Sequence, residues 1–403
     1  MRRCMPGPVH KKMGNRREKA EKEQFMFKAL RKYGIFLAML GGIVLQIWLL
    51  GGHFPWVSSN THQASPLSTG IAARAERRKR VYPISMRRPD FQTGVIFPQW
   101  GTTAYSPEDV NWQTGLDDIQ EQTAARWVSL TIDLAQLSPQ ATQVLTAQNT
   151  PTPQAVGAGI RVARAMGYHV FVQPLITIAG QQTWAGYIQF ATAQAAQSWF
   201  DSYWHTFEPY ATAAAQAGAE ELAIGTEYEL MQRAWPAQWN QLLARTHTVF
   251  SGKLTYGMNW TSLTYPIPSW MHNPLLTSIG VSMYIPLINI PERLQPKAIP
   301  GLWREKIGKV LDTLSVELNK PVLISEIGYR DSPDALFNPW QAQTLAGTDP
   351  EEQAAAYDAA LQNVIVDEHI IGIFFWAWSF PPYQPNGKLA SQVLYRWYTS
   401  PLA

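Results

Sequence analysis

The chain is predicted to be an α/β protein of the (β/α)8 TIM-barrel class, preceded by a single N-terminal transmembrane helix. Three observations predict this. After residue 90, short β-rich runs alternate with longer Ala-rich stretches of helical period, the pattern of parallel strands joined by crossover helices. Eight strand candidates fall within about 310 residues, the unit count and size of such a barrel. Ahead of them, residues 34–52 (GIFLAMLGGIVLQIWLLGG) carry no formal charge and are long enough, as a helix, to cross a hydrocarbon core of about 30 Å.

Taken in order, strands are expected at 94–97, 127–133, 169–174, 222–225, 254–259, 279–284, 321–325 and 371–376. Helices are expected between them at 116–125, 154–166, 193–217, 237–250, 303–319 and 351–366. No clear helical pattern directly follows 259 or 284. A doubly wound open sheet is the alternative arrangement, but no glycine-rich phosphate loop follows the first strand.

The ends of the chain differ in charge. Residues 1–33 hold 11 Lys/Arg against 3 Asp/Glu, and Lys28, Arg31 and Lys32 lie just before the apolar run. The positive-inside rule then predicts a single-pass cell-membrane protein with residues 1–33 as a basic cytoplasmic tail and the body outside. The apolar run is longer than the h-region of a cleaved signal, and Phe54, Pro55 and Trp56 follow it in place of a small-residue cleavage site, so an uncleaved anchor is expected. Residues 53–89 read as a Ser/Thr/Pro/Arg linker, its basic cluster from Arg74 to Arg80 being a solvated charge run.

Residues 90–403, the expected catalytic domain, carry 15 Lys/Arg against 26 Asp/Glu, an acidic balance that disfavours nucleic acid as a partner. Cys4 is the only cysteine, which excludes an internal disulfide or a thiolate metal site in the body. The eight His lack H-x-H or H-E-x-x-H spacing, and no Walker or dinucleotide glycine loop is present, so no metal and no cofactor are expected.

Two of the expected strands are followed within two residues by an acid. In AIGTEYE, Glu227 follows the fourth apolar run, and in PVLISEIGYR, Glu326 follows the seventh. A barrel presents the C-terminal ends of its strands to the active site, so two acids at equivalent rim positions point to chemistry that needs paired carboxyls. Glycoside hydrolysis is such chemistry: one carboxyl protonates the leaving oxygen and the other attacks the anomeric carbon or activates water. Glu229, two residues beyond Glu227, is the rival on the same face of an extended strand and is read as an ion-pair residue.

Other strand ends offer groups suited to a sugar: Trp100 with Gln99, Gln173, Asn259, Trp260 and Tyr284. On the eighth strand, period two puts Phe374, Trp376 and Trp378 on one face, where an indole stacks on the apolar C–H face of a pyranose. For each of these a packing role is the competing reading. The aromatic load of 17 Trp, 16 Tyr and 15 Phe favours a polymer over a free disaccharide.

The runs PVLISEIGYR, AIGTEYE and FFWAWS together resemble the barrel glycoside hydrolases of clan A, and most closely glycoside hydrolase family 113, with WVSLTIDL, SMYIPL and GKLASQVLYRWY extending the likeness across the body. The resemblance implies a retaining endo-β-mannanase-like enzyme acting on a β-linked polysaccharide or oligosaccharide. It implies Glu227 as acid/base, Glu326 as nucleophile, Tyr284 beside the nucleophile and Trp376 under the bound sugar. Many clan members have Asn directly before the acid/base; Thr226 stands there in this chain. The reading from another class is a non-catalytic glycan-binding or wall-associated module on the same fold.

Overall fold

A computed structural model of the protein describes residues 88, 90–180, 183–344 and 346–399. The basic tail, the apolar run 34–52 and all of the linker but Arg88 lie outside the described residues, and the expected membrane helix with them. Among the described residues no helix is long and apolar enough to cross a membrane.

Eight parallel strands close into a barrel in chain order, β8 pairing back onto β1. They are β1 (Gln92–Ile96), β2 (Trp127–Gln136), β3 (His169–Ile178), β4 (Glu221–Thr226), β5 (Lys253–Asn259), β6 (Ile279–Ser282), β7 (Val322–Ile327) and β8 (Ile370–Phe375). All eight occupy the expected runs. Parallel strands are covered on both faces, which is why they read as nearly unbroken apolar stretches: every residue of β2 and β4 is buried. β2 and β3 continue past their expected ends and stay paired up to Gln136 and Ile178. Pro174 does not stop β3, because the ladder runs through it opposite Ile132.

The outer layer comprises α1 (Val110–Thr123), α2 (Pro153–Ala165), α3 (Ala193–Ala217), α4 (Glu229–Arg233), α5 (Pro236–Val249), α6 (Ile299–Trp303), α7 (Lys309–Leu318), α8 (Pro350–Val364) and α9 (Leu389–Thr399). Side-chain caps set several starts: Asp109, Thr152, Thr192 and Asp349 each accept a backbone N–H of the first turn. Thr152 and Asp349 are followed by a proline at the first helical position, whose missing N–H has no partner to lose there. α3 matches its expected span and stops at Gly218 (φ 82°), a left-handed cap that glycine adopts without strain. α1 starts at Val110 instead of 116, because the Asp109 cap lies ahead of the apolar period.

Two features of the helical layer differ from expectation, and a third, the lack of a crossover helix after β5, agrees with it. A π-helical turn, Arg304–Gly308, joins α6 to α7 where one helix was expected. After β5, two short 3-10 turns, Trp260–Thr264 and Ser269–His272, replace a crossover helix, and Trp270 closes the gap by stacking on Trp239 of α5 at 4.8 Å. α9, unforeseen, packs between α8 and α1 and completes the helical ring.

Inside the barrel, Ile96, Trp127, Phe171, Ala223, Leu323 and Phe374 form a small apolar plug. Gly94 allows it: a Cβ there would lie 2.3 Å from the Phe374 ring. At the opposite end from the active-site rim, Glu221 is fully buried, accepting hydrogen bonds from Gln92 Nε2 (2.6 Å) and Ser278 Oγ (3.1 Å). Burial raises its carboxyl above the usual range, against the smaller opposing effects of Gln92, Lys253 and Ser278. The folded state therefore holds this proton more tightly than the unfolded chain, a contribution present at low pH and lost as pH rises through the raised value. Glu221→Gln is isosteric and cannot ionise. Its melting temperature is expected to match wild type near pH 4 and to exceed it near pH 8, by about 2–4 °C per kcal/mol recovered. A difference independent of pH would refute this account.

Candidate active site

The two rim acids come from strands with irregular registers. β4 shifts against β5 between Ala223 and Thr226, and β7 shifts against β8 between Ile324 and Ile327. Such bulges re-aim side chains at barrel rims. Glu227 directly follows β4 in a left-handed conformation (φ 61°), its N–H donating to the Gly257 carbonyl at 2.7 Å. A non-glycine residue there is strained by on the order of 1–3 kcal/mol, and neighbouring contacts must over-determine it.

The Glu227 carboxylate supplies those contacts. Oε2 accepts from the Trp184 indole at 2.8 Å, and Oε1 accepts from Asn259 Nδ2 at 3.0 Å. The amide orientation of Asn259 is set from its other side, where Oδ1 accepts the N–H of Thr261 at 2.9 Å. Glu326 accepts from the Tyr284 hydroxyl at 2.6 Å. Burial and the charge of Glu326 push the Tyr284 phenol up, which keeps it a donor.

The two carboxyls feel each other. Burial raises Glu326, the charge of Glu227 raises it further, and the Tyr284 hydrogen bond offsets part of this. Burial also raises Glu227, opposed by its donors Trp184 and Asn259. Two carboxyls that repel within one site lose their protons in separated steps, leaving a range in which the pair holds one proton and one charge.

Glu229 is not beside Glu227 on an extended strand. The left-handed turn ends the strand, and Glu229 opens α4, paired with Arg233 and accepting from the Thr261 hydroxyl. Arg233 in turn stacks over Tyr265 at 3.5 Å. Thr226 is buried, and its hydroxyl has no protein hydrogen bond; Asn259, from the next strand, is the amide that reaches Glu227.

Around the acids, Trp376 is half-buried and packs near Phe380 (5.9 Å), which neighbours Trp100 (5.8 Å, 39% exposed). Trp260, also half-buried, faces Trp340 at 5.4 Å. Two expected cleft residues lie elsewhere. Gln173 is 2% exposed inside the barrel, donating to Ser129 Oγ at 2.9 Å, because β3 continues beyond it toward the rim. Trp378 is 1% exposed in the outer core. β8 ends at Phe375, so strand alternation no longer governs residue 378; the Trp376 N–H pairs with Ile327 of β7 and that of Trp378 with Ile96 of β1.

One residue unforeseen from the sequence enters the site, and another is buried near the rim. Trp184 comes from a Gly/Gln-rich loop whose only signal was an isolated indole after a strand. Asp133, near the rim end of β2, is buried, accepts from Thr177 Oγ1 at 2.7 Å, and has its carboxyl pushed up to about 6 by burial. Among the described residues no three His, Cys, Asp or Glu side chains gather as a metal site.

A family model described as Glycoside Hydrolase Family 113 matches residues 100–399. A solved family 113 β-1,4-mannanase is 20% identical and superposes with a TM-score of 0.65, covering 76% of this chain and 98% of that one. The family 113 β-mannanase of Alicyclobacillus acidocaldarius, solved with ManMIm, is 21% identical, with a TM-score of 0.66 over 76% and 97% of the two chains. A β-glucuronidase of Ruminococcus gnavus, 13% identical, reaches 0.51 over 76% of this chain and 50% of that one. At these identities the structural likeness speaks for the shared fold. No curated protein matches the chain.

Proposed function

Because the chain belongs to glycoside hydrolase family 113, and is thus a glycoside hydrolase, we propose that it cuts β-1,4-linked mannan or manno-oligosaccharides internally with retention of configuration, Glu326 acting as nucleophile and Glu227 as acid/base. One observation carries this reading: two half-buried carboxyls stand at the ends of β4 and β7, Glu227 held by Trp184 and Asn259 and Glu326 by Tyr284. The mannan assignment draws on the two solved family 113 enzymes above, both β-mannanases.

In the first step Glu326 attacks the anomeric carbon as the glycosidic C–O bond breaks, and Glu227 gives its proton to the departing oxygen. In the second, Glu227, now a carboxylate, takes a proton from water as that water displaces Glu326 from the same carbon, restoring both groups. Trp184 and Asn259 keep the Glu227 carboxyl oriented through both transfers, and Tyr284 stabilises the Glu326 anion before attack. Exposed Trp100 and half-buried Trp376 are suited to stacking on pyranose rings.

The test uses full-length protein in detergent on mannan, glucomannan, β-glucan, xylan and peptidoglycan, following reducing-end release and the anomer first formed. β-Anomers from mannan support the reading. Initial α-anomers would overturn retention, and binding to a polymer without release would favour the non-catalytic module.

Removing the Tyr284 hydroxyl takes away the hydrogen bond that lowers Glu326, so that carboxyl must ionise at higher pH. Tyr284→Phe is expected to move the acidic limb of the kcat/KM profile upward and to lower its plateau on the order of tenfold, a hydrogen bond to a charged group contributing about 1.5–3 kcal/mol. An unmoved acidic limb would show that Tyr284 does not set the ionisation of Glu326.

We also propose that residues 34–52 anchor the enzyme in the cell membrane with residues 1–33 on the cytoplasmic side. Retention of the full chain in membranes washed with alkaline carbonate is the supporting result; release by that wash refutes it.

A further inference from the structure

The run that carries Glu326 ends in Arg330, which takes no part in the chemistry above. Its guanidinium is 1% exposed and is filled by one loop, the connection from β7 to α8. Nη1 donates to the carbonyls of Asn338 (2.5 Å) and Gln341, Nη2 to that of Asp334 (3.0 Å), and Nε to Ser332 Oγ (3.3 Å). The Asp334 carboxylate lies 3.2 Å from Nη2 and also accepts from Ser332 and Thr344. A planar cationic fork buried among the carbonyls of one segment fixes the shape of that segment, and a point-charge ammonium cannot reproduce it.

The loop so folded carries Trp340 to Trp260, ring centroids 5.4 Å apart at 30°. Trp260 directly follows Asn259, the amide bound to Glu227. The carbonyl of Pro339, next to Trp340, accepts from the Tyr383 hydroxyl at 2.7 Å, and Tyr383 lies against Gly328, two residues beyond Glu326. Trp340 is thus held at the rim between the strand ends that carry the two acids, and both indoles are only half-buried.

We propose that Trp260 and Trp340 form one sugar-binding subsite on the Glu227 side of the cleft, stacking on a pyranose of the departing part of the chain, and that Arg330 is the positioning residue that holds Trp340 there. The inference rests on the hydrolase reading above, in which Glu227 protonates the leaving oxygen, so that rings beyond the cut bond lie on its side. Indole faces suit this task because the C–H face of a pyranose is apolar and polarised toward a π cloud.

The full-length variants Trp340→Ala, Trp260→Ala and Arg330→Lys would be compared with wild type on mannohexaose and on 2,4-dinitrophenyl β-mannobioside, whose leaving group is not a sugar. Each variant is expected to lose about tenfold in kcat/KM on the hexaose and less than twofold on the aryl substrate, with Arg330→Lys acting mainly through a raised KM for the hexaose. Equal losses on both substrates, the mark of a merely structural role, would overturn the proposal, as would an unchanged hexaose rate.

A second measurement does not need turnover. Calorimetric binding of mannohexaose to full-length Glu326→Gln is expected to weaken about tenfold when Trp340→Ala is added, while mannobiose binding changes less. No binding, or an unchanged Kd, overturns the subsite. Wild type that binds the hexaose without cutting it would sink the hydrolase reading alone, and the calorimetric comparison would still decide the subsite.

Discussion

Glu326→Ala in the full-length protein is expected to lower kcat on mannan on the order of 10⁴–10⁶-fold, the scale of loss when the nucleophile of a covalent mechanism is removed. Loss alone would not identify the role, since Glu227 is a second carboxyl at the same rim whose removal would also lower activity. Azide separates the cases. With the carboxylate gone, azide can attack the anomeric carbon from the same face while Glu227 still protonates the leaving oxygen. A β-glycoside should then yield the α-glycosyl azide. Formation of the β-azide from this variant would instead mark Glu326 as the acid/base and reverse the assignment.

Glu227→Ala is expected to show an effect that depends on the leaving group. On mannan, whose departing oxygen needs a proton, kcat/KM should fall about 10²–10⁴-fold, the range general acid–base catalysis supplies. On a 2,4-dinitrophenyl glycoside the leaving phenolate needs no proton, so kcat/KM should change only a few-fold. kcat should still drop, because no base activates the water that releases the glycosyl-enzyme. Added azide should restore turnover and give the β-azide, having attacked an intermediate already inverted once by Glu326. Equal losses on both substrates would exclude Glu227 as the acid.

Neither experiment depends on which carboxyl holds the shared proton before substrate binds. Trp184 and Asn259 favour the anion of Glu227, while Glu326 has only Tyr284, so the proton distribution of the free pair is set by hydrogen bonds that a bound sugar will rearrange.

Much of the fold was legible without coordinates. Parallel barrel strands are covered on both faces, so each left a run of apolar residues that local reading detects, and the alternating helices carried their own period. Glu227 and Glu326 were visible as rim acids because each interrupts such a run at its end. α9 was missed, and so were the breaks around the π turn. β3 runs four residues past its expected end at 174, because its pairing with β2 continues to Ile178. Within the site, Tyr284 and Asn259 could be located from strand ends, whereas Gln173 and Trp378 went into the interior and the outer core.

The sequence by itself determined the eight strands, the two acids at their ends and the charge asymmetry between tail and body, because periodicity, composition and the identity of a strand-end residue are local properties. Only the tertiary structure decided what surrounds the acids. The left-handed turn at Glu227 sends Glu229 into an ion pair with Arg233, an outcome no strand periodicity encodes. The Trp184 indole reaches Glu227 across 43 residues, and Arg330 holds a loop that sets Trp340 against Trp260 across 80 residues of chain. Such meetings arise from the barrel, which brings the loops after different strands to one rim, and no window of neighbouring residues contains that information.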